Sequence, residues 1–479
     1  MSAAKHSQAM HFQARAGKEV RNAVLQRALQ KAKPLFVGKR AKGIAALGED
    51  KLEFEALRAA CEDIRNRVLT DLDVWLAIFE ARARASGAEV LWARDGDEIC
   101  RHVVDVARQH GVTKATKSKS MLSEEARLNE ALTAAGIRPV ETDLGEYIVQ
   151  LAGETPSHII APAVHKTIDD VEALFAKEHG RPVETRTSAD IPAMAREARE
   201  VLRQHFLSAE MGISGANFLI AETGTSIIVT NEGNGDLTQI LPKVHIVIAS
   251  IEKIVPTLED ASTILRVLAR SATGQEFSNY TTLSTGPRRA GDPDGPVEYH
   301  VVILDNGRSN VLGTEFQDML RCIRCGACLN HCPVYQAVGG HAYGWVYPGP
   351  IGSVVTPALV GIENAKHLPN ASTFCGRCEE VCPMRIPLPR LLRHWREKEF
   401  EKHLQPSAMR FGIGAWAWLA KRPSLYRKAT ALAARVLTNQ GHGKGRLSKV
   451  PFASGWTQYR DFPAPQGKTF HQLWKERRS

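Results

Sequence analysis

Seven of the nine cysteines crowd between residues 322 and 382, in the runs CIRCGACLNHCP and CGRCEEVCP, and no other feature restricts the fold of this chain as much. Cys322, Cys325, Cys328 and Cys332 have the spacing C-x2-C-x2-C-x3-C, followed by Pro333. Two-residue gaps let three sulfurs from one tight turn face a common point, while the proline stops that turn and sends the fourth thiol elsewhere. This is the run that in two-cluster ferredoxins gives three thiolates to one iron–sulfur cubane and the fourth to its neighbour. A disulfide framework requires an oxidising compartment, which nothing in the chain indicates. A structural zinc site would use two C-x2-C pairs. Cys61 and Cys100 stand alone in helical contexts and read as small buried hydrophobes.

If the ferredoxin exchange applies, the first cluster takes Cys322, Cys325 and Cys328 with Cys382, and the second takes Cys332, Cys375 and Cys378. The second set is one thiolate short, because Ser372 stands where a full second motif has its first cysteine. That leaves the second cluster either [3Fe-4S], or [4Fe-4S] with a serine, carboxylate, water or partner ligand. Two such clusters pass single electrons and do not alone accept a hydride, so the chemistry is shared with another site or another chain.

A length of 479 residues exceeds one hydrophobic core and implies several domains. Hydrophobic and charged contents of 43% and 24% exclude a disordered chain. The most apolar late stretch, Phe411 to Ala420, is far shorter than the roughly 20 residues that span a bilayer. The first residues lack the apolar centre of a secretory signal, so a cytoplasmic protein is expected. From Leu391 onward 18 Lys and Arg face 5 Asp and Glu, against 44 and 47 in the preceding residues, so the basic excess lies in the tail. Such a tail suits an acidic protein partner first and an anionic membrane surface second. Without zinc-finger spacing or an RNP-type aromatic motif, nucleic acid is not expected.

Apolar residues at steps of three and four between Ala14 and Ala85 predict helices. Short strand-like runs follow at 88–93, 138–142 and 157–162, separated by helical stretches at Asp97 to His110 and Glu124 to Ala135, which points to an α/β sheet. Runs 217–223, 226–234 and 244–250 read as core strands joined by tight turns at Gly224 and Asn231 to Gly235, and 297–305 as the last strand. KSKSM (117–121) with Glu124 and Glu125 could bind phosphate or carboxylate at a helix start capped by Ser123, although an exposed capped helix explains it as well. NEGNG (231–235) reads as a hairpin turn. Asp143, Glu146, His158 and His165 lie near strand ends, where α/β sheets place ligands. His341, between the cysteine runs, could shield a cluster. No G-x-G-x-x-G follows a strand, so no dinucleotide site is expected.

KSKSM, ETDLGEYIVQL (141–151), GANFLIAETGTSIIVTNEGN (215–234), LPKVHIVIASIEKIVP (241–256), the two cysteine runs and SGWTQYRDFPAP (454–465) together resemble the lactate utilization protein B family over nearly the whole chain. The resemblance implies an α/β lactate-utilization domain with a sheet like those of CoA transferases and sugar-phosphate isomerases. A helical ferredoxin-like two-cluster domain and a family-specific C-terminal tail would follow. The corresponding boundaries are a helical segment at 1–70, the α/β domain at 71–306, the cluster domain at 310–395 and the basic region at 396–479. It implies an electron-carrying role in oxidation of L-lactate to pyruvate. The companions would be a cysteine-rich-domain protein and a second lactate-utilization-domain protein. It assigns no catalytic residue, and it makes the Ser372 pattern the family's own. A carrier for glycolate or a quinone-linked dehydrogenase, and a redox-sensing regulator, are the competing expectations. Were lactate oxidised on this chain itself, Glu222, Asn231 and His245 of the α/β domain would be the first residues to suspect.

Overall fold

A computed structural model describes residues 7–48, 50–180, 190–441, 444–450, 457 and 460–478. Of the tail motif, residues 454–456 and 458–459 lie outside the described residues. The chain forms two compact units, one running to Glu401 and the other from Lys402.

The first unit is built on a six-stranded, wholly parallel sheet. Its strands are β1 (Glu89–Ala93), β2 (Lys114–Lys117), β3 (Arg138–Glu141), β4 (Met211–Gly215), β7 (Val244–Ser250) and β10 (Glu298–Leu304). They lie in the order β1-β10-β7-β4-β2-β3. Parallel strands are covered on both faces and so read as continuous apolar runs. All seven residues of β7 are buried. On one face pack the helices Gly96–Gln109 and Leu128–Ala134, on the other Leu72–Ala85, through Ile246 and Ile248 on one side and Val247 and Ala249 on the other. A second sheet, β8 (Ile254–Val255), β5 (Phe218–Ile220), β6 (Thr225–Thr230) and β9 (Tyr280–Ser284), lies in that order. The expected turn at Gly224 joins antiparallel β5 and β6, with Gly224 at φ 69°.

The expected helices between Ala14 and Ala85 form as Phe12–Glu19, Ala23–Ala45, Leu52–Thr70 and Leu72–Ala85. Two of them hold the cysteine region: Arg40 donates to the Val381 carbonyl at 2.9 Å and Arg58 to that of Cys382 at 3.0 Å. Four expectations need correction. Residues 157–162 form no strand, because His158 Nδ1 accepts the N–H groups of Ile160 and Ala161 at 2.9 and 3.0 Å and winds the chain around its own ring. The helix expected from Glu124 to Ala135 breaks at Arg127, which is left-handed at φ 58°, into Met121–Glu125 and Leu128–Ala134. NEGNG is not a hairpin turn, since β6 pairs with β9 rather than β7 and the segment leads into the helix Asn234–Ile240. Ser120, not Ser123, caps the helix at Met121, its hydroxyl accepting the Ser123 N–H at 3.3 Å.

The second unit contains the helices Ser407–Ala420, Pro423–Gln440 and Phe470–Arg478 and a two-residue strand pair, Arg446–Leu447 with Phe462–Pro463. No described helix is long and apolar enough to cross a membrane.

Candidate functional site

The two cysteine runs fold as near-copies of one loop. Cys322 Sγ accepts the N–H of Arg324 at 3.4 Å, and Ser372 Oγ accepts that of Phe374 at 3.2 Å. Arg324 and Phe374 then turn left-handed at φ 59° and 53°, and Gly326 and Gly376 follow at 74° and 80°. Each glycine starts a four-residue helix, Ala327–Asn330 carrying Cys328 and Arg377–Glu380 carrying Cys378. Glycine is the residue that enters this conformation without steric cost. Cys332 and Cys382 each stand before a proline that ends the loop. Ser372 therefore occupies, in backbone terms, the place that Cys322 holds in the first loop.

The thiols come together in two sets. Cys328 lies within electrostatic reach of Cys322, Cys325 and Cys382, and Cys325 within reach of Cys382 and Cys322. Cys378 lies within reach of Cys332 and Cys375. Burial first, and then the neighbouring sulfurs, push the Cys325 and Cys378 thiols up to about 12. Burial likewise takes Cys382 to about 11. Buried thiols gathered at such a cost to ionisation are suited to a cationic iron core, which deprotonates coordinating thiols outright. Among the described residues no three His, Cys, Asp or Glu side chains converge on one point as a single ion would need. A cubane makes no such demand, since each thiolate binds a different iron. Cys332, Cys375 and Cys378 line a cleft together with Ser372 and Tyr343. Cys61, wholly buried, and Cys100, packed at the edge of the core, stand apart from both sets, and burial raises them to about 12 and 11.

Cations surround the first set: Arg65, Lys253 and Arg324 lie in electrostatic reach of Cys322, and Arg40 in reach of Cys325 and Cys382. One of them, Lys253, belongs to the α/β domain, which the cysteine region meets directly, and Arg40 and Arg65 come from the N-terminal helices. Arg308 makes a two-pronged ion pair with Glu125 at 2.9 and 2.8 Å and reaches Glu252 at 3.1 Å. Tyr347 donates its hydroxyl to Glu125, and the Arg324 guanidinium lies over the Tyr347 ring at 4.4 Å from its centre. Burial would raise the Glu252 carboxyl, but Arg308, Arg324 and Lys253 hold it at about 2.

The residues expected at strand ends divide. Asp143 lines a second, wider cleft, together with Ser118 to Leu122 after β2, Thr230 to Glu232 at and after the end of β6, and Ile323 and Arg324 of the first cysteine loop. Lys117 is not in it, being buried against Glu141 at 2.7 Å. Glu146 is buried beside Glu124, and burial, then Glu124, raises its carboxyl well above the usual range. His158 bonds Asn330 of the first cysteine loop at 2.7 Å, and burial drops it to about 4, so it is a neutral strut between domain and loop. His165 bonds Ser157 and Glu154, both at 2.7 Å. His341 bonds the Thr155 carbonyl at 2.7 Å and does not line the thiol cleft, where Tyr343 stands instead. Of the residues suspected for catalysis, Glu222 accepts the Leu258 N–H at 2.7 Å and His245 is fully buried against Ser214 at 2.8 Å, while Asn231 lines the wide cleft. Arg324 and Tyr347 were missed, since a residue between two cysteines and a lone tyrosine carry no pattern of their own.

A parallel α/β sheet closed against paired cysteine loops defines a domain-fused iron–sulfur protein. Family models agree: residues 76–304 match the LUD domain, 318–386 the 4Fe-4S dicluster domain, and 384–479 the lactate utilisation protein B C-terminal region. The chain belongs to the lactate utilization protein B family. It is 41% identical to lactate utilization protein B of Lysinibacillus sphaericus over 97% of both chains. It is 43% identical to that of Geobacillus kaustophilus over 90% of both, and 39% identical to the uncharacterized electron transport protein YkgF of Escherichia coli over 97% of this chain and 96% of that one. A DUF162 family protein from Deinococcus radiodurans of known crystal structure matches 49% of this chain and 98% of its own at 16% identity, with a TM-score of 0.26 that carries no argument.

Proposed function

We propose that this protein is the cytoplasmic iron–sulfur electron-transfer subunit of a system that oxidises L-lactate to pyruvate. It would work with a cysteine-rich-domain protein and a second lactate-utilization-domain protein. The observation that carries the reading is the sorting of seven thiols into two sets by two look-alike loops. On this reading Cys322, Cys325, Cys328 and Cys382 hold one [4Fe-4S] cluster, and Cys332, Cys375 and Cys378 hold the second, with Ser372 at its fourth corner. Each cluster, when bound, supplies one-electron transfer. Lactate to pyruvate releases two electrons and two protons, so a companion takes the substrate's hydrogen and this chain relays electrons. The cations around the first thiol set offset the negative charge of a reduced cluster. We read the six-stranded sheet as of the CoA-transferase and sugar-phosphate-isomerase kind.

The basic second unit is read as the docking surface for an acidic companion. An anionic membrane surface is the second reading, favoured by one observation: Phe411, Trp416 and Trp418 are 80, 61 and 55% exposed on a helix with no buried residue. The test is lactate-dependent dye reduction by the isolated chain and by its mixture with the companions, with glycolate as the alternative substrate. Turnover with lactate in the mixture alone is expected. Robust turnover by the isolated chain would end the relay, preference for glycolate would change its substrate, and intact lactate oxidation without this chain would make it a regulator.

A further inference from the structure

The wide cleft lies where ligands of open parallel sheets bind, beyond the carboxyl ends of the strands. Ser118 follows β2, Gly215 ends β4 and Ser250 ends β7, and all three line it. Five polar atoms on its lining residues have no hydrogen-bond partner within the protein: the Ser118 hydroxyl, the Lys119 ammonium, one terminal nitrogen of Arg324 (Nη1), the Ser250 hydroxyl and Glu252 Oε2, the last held in its ion pair with Arg308 at 3.1 Å. Ser118 is 1% exposed, so its hydroxyl is a buried polar group for which the fold supplies no partner. A buried polar group left without a partner destabilises the fold, so a ligand that meets it gains from the contact. The other terminal nitrogen of Arg324, Nη2, stands 3.8 Å from Glu252, beyond hydrogen-bond length. The guanidinium fork is thus held in place over the Tyr347 ring with its donors open.

Of these, Ser118, Lys119 and Arg324 put open donors on residues of one wall, two of them cationic, which suits an acceptor-rich anion. The ionisable lining otherwise balances: Lys119, Lys253 and Arg324 face Asp143, Glu232 and Glu252. Burial, then Asp143, raises the Glu232 carboxyl above its ordinary value. With three cations and three carboxylates already in the lining, a singly charged anion adds less uncompensated charge than a dianionic phosphate. The remaining wall is apolar, with Ile160, Ile228, Leu268 and Ile323.

We propose that this cleft binds an organic carboxylate, its oxygens taken by Lys119, Ser118 and the open face of Arg324, and its carbon body laid on the apolar wall. The site adjoins the first cysteine loop, since Ile323 and Arg324 line it and the backbone N–H of Arg324 donates to Cys322 Sγ at 3.4 Å. This goes beyond the relay, which asks for no ligand on this chain, and either can fail without the other.

The experiment is calorimetric titration of the anaerobic, cluster-loaded full chain with L-lactate, pyruvate and 2-oxohexanoate, and separately with inorganic phosphate. Saturable binding of at least one carboxylate is expected, tighter than phosphate, weakened tenfold or more in Lys119→Gln and in Arg324→Lys. A second measurement needs no variant: in the reduced protein the paramagnetic first cluster should broaden the proton resonances of the bound carboxylate. Absence of binding by all three carboxylates, tighter phosphate binding, undiminished affinity in a cluster-loaded Lys119→Gln, or unbroadened ligand resonances would each overturn the proposal. Binding without turnover leaves the relay standing, whereas turnover on the isolated chain would remove the relay and keep the site.

Discussion

Ser372 repeats the backbone role of Cys322, down to the bond its oxygen accepts two residues on. If its oxygen sits on the fourth iron, Ser372→Ala should shift the midpoint potential and EPR signal of the second cluster and leave the first unchanged. Ser372→Cys should give a second spectrum of all-cysteine type. An unaltered second signal in both variants would remove Ser372 as a ligand. Cys378→Ala should damage the second cluster and Cys382→Ala the first, although the two are close in sequence, and identical spectral losses would reject the cross-ligation. The grouping of the seven thiols and the place of Ser372 were legible from spacing, because two-residue gaps decide which side chains one tight turn brings together. The wide cleft was half legible. KSKSM was singled out, but its Lys117 is spent in a buried pair with Glu141, and Ser118 and Lys119 beside it line the space. Which neighbour faces inward follows from strand pleat and register, which a short polar strand does not declare.

At the scale of elements, apolar runs such as β7 and β10 declared themselves, whereas Lys114–Lys117, Met211–Gly215 and Tyr280–Ser284 did not. Gly212 explains one case: a Cβ there would lie 1.8 Å from the Thr238 carbonyl, so close packing of the helix Asn234–Ile240 demands a residue that reads as a strand breaker. The buried Arg308 joins elements that are far apart in sequence, the helix Met121–Glu125 and the end of β7. Arg308→Met would leave Glu125 buried with no cation, only Asn306 and Tyr347 donating to it, and Glu252 with Arg324 and Lys253 alone, at a cost of about 3–5 kcal/mol in denaturant unfolding. Wild-type loss of less than about 1 kcal/mol would contradict that role. Glu252 sits near 2, below an ordinary carboxylate at about 4.3, so its contribution is complete above that ordinary value and is lost as pH falls toward 2. Acid unfolding of Glu252→Gln should accordingly show a shallower pH dependence over that window. On the helix Ser407–Ala420, Trp416 and Trp418 are not buried, so changing both to Gln should leave cluster content intact. It should also weaken companion binding roughly tenfold, as loss of aromatic anchors does. Undiminished companion binding, with wild-type sedimentation on anionic vesicles, would transfer this surface to the membrane.

For the whole molecule, the charge layout makes assembly salt-sensitive. With a net excess of 13 positive charges from Leu391 onward, docking to an acidic companion should weaken as the Debye length falls from ~10 Å at 0.1 M salt to ~3 Å at 1 M. Lactate-dependent dye reduction by the mixture should fall over that range while direct chemical reduction of the clusters does not. Rates equal at both ends would rule out electrostatic docking. The relay itself depends on both thiol sets being filled, which metal and sulfide analysis of the anaerobically purified chain, with EPR before and after reduction, measures directly. A brown protein with about seven to eight irons per chain, matching sulfide and two distinguishable cluster signals is expected. Stoichiometric zinc with little iron, or a single cluster signal, would contradict it.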